Sequence, residues 1–109
     1  MKKMVKVVVF VPKSHSDTVR QALGDAGAGK IGNYGYNSFS LVGIGRFKPL
    51  EGAEPYIGKV GKLEEVEEER IEFVCEKDKA KKVISEIRKA HPYEEVALDI
   101  YPLFEENEI

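Results

Sequence analysis

Met4-Val5-Lys6-Val7-Val8-Val9-Phe10-Val11 is the stretch that decides the fold. Its β-branched density and the stop at Pro12 predict a strand. Val5, Val7, Val9 and Val11 fall on one side, and Val8 with Phe10 on the other. A strand apolar on both sides belongs in the middle of a sheet with something over each face. Ser14 or Ser16 can cap a following helix that runs to about Ala26, with Val19, Ala22, Leu23 and Ala26 on one face and Gly27 at its end. Tyr36 to Val42 alternates, with Phe39 and Leu41 against Ser38 and Ser40. Arg70 to Cys75 alternates again, with Ile71, Phe73 and Cys75 on one side. Asp78 is placed to cap a second helix bearing Ala80, Val83, Ile84 and Ile87, which ends near His91 because Pro92 disfavours helical geometry before it. Val96 to Tyr101 forms a last strand, closed by Pro102.

The order βαββαβ predicts an α+β, ferredoxin-like sandwich with both helices on one face of an antiparallel sheet, built as one domain over residues 1–109. Two helices cover only one face. The apolar outward side of the first strand therefore predicts a second layer, supplied by another copy of the chain. Residues 44–69 between the second and third strands are too many for a simple turn and predict a long loop or a small protruding hairpin. Phe47 and Tyr56 within it suit clasping a neighbouring subunit or a ligand. The acidic Lys62–Glu69 run reads as a solvated segment, since it lacks the ordered ligands and turn glycine of a calcium loop.

Of 109 residues, 42% are apolar and 33% charged, with a net charge of −2. That composition excludes a disordered chain, a membrane span and a generally basic nucleic-acid binder. One cysteine, Cys75, fits a reducing cytoplasm and reads as a buried hydrophobe. Residues 1–61 carry a balance of +5 and residues 62–109 a balance of −7, an asymmetry suited to solvated surface or to head-to-tail contacts. Gly24 to Lys30 spells GxxxxGK, but it follows a helix and leads into a strand, so a helix cap and tight return is the expected role, with a small anion on its backbone as a secondary one. His15 and His91 are the only histidines. With the two halves taken as running parallel, the pair falls at opposite ends of one chain, which leaves a site shared between subunits as the route to a divalent metal. No nucleophile–base pair or cofactor motif is present, so an enzyme is not expected.

Ser14-His15, Ala26-Gly27-Ala28-Gly29, Ile31-Gly32-Asn33-Tyr34, Pro49-Leu50-Glu51-Gly52-Ala53, and His91-Pro92-Tyr93-Glu94-Glu95-Val96-Ala97 resemble the inserted domain of YqfO-type proteins of the Nif-three family. That domain is similar to CutA and PII, ferredoxin-like modules that assemble as trimers and bind ligands in clefts between subunits. The resemblance implies a non-enzymatic, self-assembling module, a trimer rather than a dimer, that binds a small ligand or partner protein in a regulatory or structural role. Asn33, Tyr34, His91 and Glu94 are its implied ligand-binding residues. The alternative is an intersubunit metal site using His15, His91 or Glu94. Neither a nucleic-acid nor a membrane partner is implied.

Overall fold

Val5, Val7, Val9 and Val11 form the central ridge of the core, and everything else is arranged by what must cover them. In a computed structural model describing residues 2–109 they lie on β1 (Met4–Pro12). The other elements are α1 (Ser16–Asp25), β2 (Phe39–Phe47), β3 (Glu64–Glu76), α2 (Ala80–Ala90) and β4 (Leu98–Pro102). The strands form one antiparallel sheet in the order β2-β3-β1-β4, with β1 and β3 central as expected. Val19 and Leu23 of α1 and Val83 and Ile87 of α2 are fully buried on the valines and on Ile71, Phe73 and Cys75 of β3.

Several expectations change in detail. Neither helix carries a side-chain cap: Ser14 turns to the His15 ring, the Ser16 hydroxyl is buried without a partner, and Asp78 pairs with Lys2 at 2.9 Å. Each helix instead enters through a 3₁₀ turn, Lys13–His15 or Lys77–Lys79, which supplies the first turn's geometry from the backbone. β2 begins at Phe39 because Tyr36 has φ of 59° and sends its hydroxyl to Asp25 at 2.6 Å. Period-two alternation alone does not locate that break.

At their other ends β2 and β3 run on together as a two-stranded arm, Ile44–Phe47 against Glu64–Glu67, beyond the end of β1. The acidic run is thus strand from Glu64 onward, with Glu65 and Glu67 still exposed, and the connection that leaves the sheet shortens to residues 48–63. Its carboxylates alternate between faces. Glu65, Glu67 and Glu69 turn to the helix side and meet Arg46, Lys13 and Arg20 at 3.7, 3.3 and 2.6 Å. Lys2, Lys3 and Lys6 likewise reach Asp78, Glu108 and Glu72. The charge asymmetry between the halves is therefore answered to a large extent inside one chain.

The outward face of β1 also differs from expectation. Val8 is fully buried without a second layer. Its register neighbour Glu72 binds Arg70 at 3.0 Å and faces Lys6 at 3.8 Å, while the Arg70 guanidinium stacks over Phe10 at 5.8 Å. Long charged side chains shield this hydrocarbon with their stems. Uncovered apolar surface is found on β2, an edge strand, where Phe39 and Leu41 on one face and Val42 and Ile44 on the other are 52–61% exposed.

The GxxxxGK segment is a helix exit. Gly27, Ala28 and Gly29 give their N–H groups to Gly24, Leu23 and Val74, so these three donors are spent on the chain itself rather than offered to an anion. Gly29 has φ of +73°, and a Cβ there would collide with the Asn37 backbone. Gly29→Ala is expected to cost about 2 kcal/mol from left-handed strain and the collision together, read as a lower urea midpoint at unchanged m-value.

Candidate functional site

Because β1 and β3 are antiparallel, the helices that follow them run oppositely, and the start of α1 meets the end of α2. This corrects the parallel reading of the two halves and brings His15 and His91 into one aromatic cluster. His15 stands edge-on to Tyr56 at 5.9 Å, Tyr56 packs against Tyr93 at 6.2 Å, and Tyr93 meets the His91 ring at 5.0 Å.

His91 is 6% exposed and both its ring nitrogens are engaged. Nε2 donates to the Phe10 carbonyl at 2.7 Å, and Nδ1 accepts the Tyr93 N–H at 3.1 Å. This fixes the neutral tautomer with the proton on Nε2. Burial pushes the imidazole below its ordinary pKa, the Phe10 carbonyl opposes that, and His15 adds a smaller repulsion. With the Phe10 N–H bound to the Ala97 carbonyl at 3.1 Å, residues 91–97 are buckled onto the end of β1. A metal at His91 would have to displace one of those two bonds. No three His, Cys, Asp or Glu side chains gather into a metal cluster among the described residues. Within one chain, His15, His91 and Glu94 do not fit a divalent ion.

The buckled segment and the β2–β3 arm enclose a cleft of about 390 Å³. Phe10 and Glu68 line it from the sheet, Phe47 and Tyr56 from the arm and its connection, and Tyr93 and Glu94 from the segment. The Phe47 and Tyr93 rings are 6.0 Å apart. Glu94 accepts the Glu54 N–H at 2.8 Å, lacing the tip of the connection to the segment. A Cβ on Gly45 would meet the Glu68 carboxyl, so this glycine lets β2 lie close over that side chain. Burial raises the Glu68 pKa. The Tyr93 hydroxyl is buried facing Glu68 and is pushed up to about 12, first by burial and then by its interaction with the Glu68 carboxylate. The arrangement is a mainly apolar, aromatic-walled recess with few polar groups, suited to holding a ligand.

Of the residues singled out by sequence, Glu94 lines this cleft and His91 sits behind its wall, against Tyr93 and the Phe10 carbonyl. Asn33 and Tyr34 do neither. They border a separate hollow of about 330 Å³ with Lys30 and Tyr36, beside the Gly29–Val74 bond toward the other end of β3. Tyr93 and Glu68 were not singled out. Tyr93 sits inside the quoted HPYEE segment, whereas Glu68 is distinguished from its neighbours only by strand parity.

No family model matches the chain. A GTP cyclohydrolase 1 type 2 homolog of Halalkalibacterium halodurans is 54% identical over 105 residues, which are 96% of this chain and 28% of that protein. The Bacillus subtilis protein of the same name is 57% identical over 98 residues, 90% of this chain and 26% of its own length. The solved Bacillus cereus protein related to NIF3 is 53% identical with a TM-score of 0.84, over 95% of this chain and 26% of that one. The chain matches one part of these NIF3-related proteins. It spans about a quarter of the length of these relatives. The chain also shares its fold with CutA of Xylella fastidiosa, at a TM-score of 0.71 and 12% identity over 96% of this chain and 88% of that one. The ferredoxin-like architecture expected from the element order, and the CutA-like form implied by the resemblance, are thus observed.

Proposed function

We propose that residues 1–109 act as a non-enzymatic module that assembles with copies of itself, a trimer in preference to a dimer, and holds a small ligand or partner segment in a regulatory or structural role. The cleft between the β2–β3 arm and the 91–97 segment carries this reading: it is roomy enough for a small ligand, aromatic, and held in shape by the Phe10–Ala97 main-chain bond, the His91 ring and the Glu94 carboxylate. The chemistry around it supports binding more than turnover. His91 has no free ring nitrogen for general base work, and the Cys75 thiol is buried on the far side of the sheet, where desolvation pushes its pKa up.

Self-assembly is supported by β2, whose unpaired edge and two apolar faces make it a template for another chain. Its resemblance to CutA and PII favours three copies. No helix among the described residues is long and apolar enough to cross a membrane. A cytoplasmic setting belongs to the same proposal, supported by the single buried thiol. The test is a small-molecule titration followed on the Tyr56 and Tyr93 ring signals, with the same samples assayed for nucleotide turnover. Saturable shifts without turnover are expected. Saturable turnover that survives extensive purification and falls in Tyr93→Phe would overturn the non-enzymatic reading.

A further inference from the structure

Along β3, the glutamates on the helix side are neutralised: Glu67 by Lys13 at 3.3 Å and Glu69 by Arg20 at 2.6 Å. Glu68 lies between them, turns to the opposite face, is half-buried in the cleft and has no cationic partner among the described residues. Arg46 offers no remedy, since its guanidinium pairs with Glu65 on the other face of the arm. Lys48 is the other basic residue at the cleft, and it is exposed. Glu94 and Glu95 add further negative charge. Around these carboxylates stand Phe47, Tyr56 and Tyr93, with neighbouring ring centroids 6.0 and 6.2 Å apart.

A partly desolvated carboxylate without a counter-ion is costly unless it is protonated or meets a cation. Aromatic faces attract cations through their quadrupoles, and they favour diffuse organic ones, which shed water easily. We infer that the cleft takes a small organic monocation, an ammonium or quaternary ammonium, with its charge toward Glu68 and its carbon body among Phe47, Tyr56 and Tyr93. This rests on the ligand-binding reading above and adds the sign and chemical class of the ligand. A metal ion is a poorer match, because this recess is mostly hydrocarbon and lacks a set of converging oxygen ligands.

The test compares choline with its uncharged isostere 3,3-dimethylbutan-1-ol by calorimetry and by the Tyr93 ring signals, on the whole chain. Choline is expected to bind at least tenfold more tightly. Glu68→Gln should erase that preference while leaving the weak binding of the isostere unchanged, and a matching thermal melt confirms that the variant is folded. Tyr56→Ala should weaken choline more than the isostere. Equal binding of the two probes, or a choline preference that survives in Glu68→Gln, would overturn the organic-cation inference and leave the ligand cleft standing. If neither probe nor any neutral fragment perturbs Tyr56 and Tyr93, the ligand-binding reading fails and the inference falls with it.

Discussion

His91→Ala is expected to lose about 3 kcal/mol of stability, a fall of roughly 12–20 °C in Tm for a chain of this size. The substitution deletes two buried hydrogen bonds at once and strands both partners, the Phe10 carbonyl and the Tyr93 N–H. It also unbuckles residues 91–97 from β1, so the cleft loses one wall. His91→Gln, which keeps one donor and one acceptor, should recover part of the loss. A surface-like change below about 0.5 kcal/mol would show that the imidazole does not hold the segment. The same bonds set a pH dependence. The folded-state pKa of His91 lies below its ordinary value of 6.5, so the unfolded chain takes up the proton first. The contribution is full above about 6.5 and is lost as pH falls from there through the lower folded value. In His91→Gln that acid-side step should be missing from urea titrations run across the window.

Ile71→Ala should be at least as damaging, at about 4 kcal/mol, because it empties the middle of the core. Ile71 is fully buried on the helix side of β3 beside Val9, in the cluster that α1 and α2 cover. Removal of a large aliphatic side chain costs its transfer energy plus a cavity term, typically 2–5 kcal/mol. The surrounding β1 valines are stiff and bound into a central strand, so collapse around the void should be small. Ile71→Val, with one methyl group fewer, is expected to cost about 1 kcal/mol. Chemical denaturation of the three chains gives the series directly. A loss under 1 kcal/mol for the alanine variant would mean that the β3 inner face is not the centre of the core.

The legible part of this molecule was its repeating part. Val5 to Val11, the Val19/Leu23 stripe and the Val83/Ile87 stripe each obey one period, and each is buried where that period puts it. What periodicity missed were places where an isolated contact decides. Tyr36 leaves the strand pattern because of one left-handed backbone angle and one hydrogen bond to Asp25. Glu64 to Glu69 reads as solvent-loving in composition, yet its odd-numbered members find cations from distant sequence once the register is set. The histidines were separated by a single topological step, the relative direction of two helices, and its reversal brings them together. Glu68 was hidden for a similar reason: between two glutamates, only the pleat tells which one faces the cleft.

Phe39, Leu41, Val42 and Ile44 leave β2 with hydrocarbon on both faces and an open row of main-chain groups, and other copies of the chain are expected to close it. Light scattering on the unaltered protein, diluted from hundreds of micromolar to a few, tests this most directly. A mass near three times the 12.2 kDa chain is expected, falling to one chain when Leu41 and Ile44 are both replaced by lysine. A steady 12.2 kDa species at the highest concentration, with β2 still apolar and wet, would contradict the account.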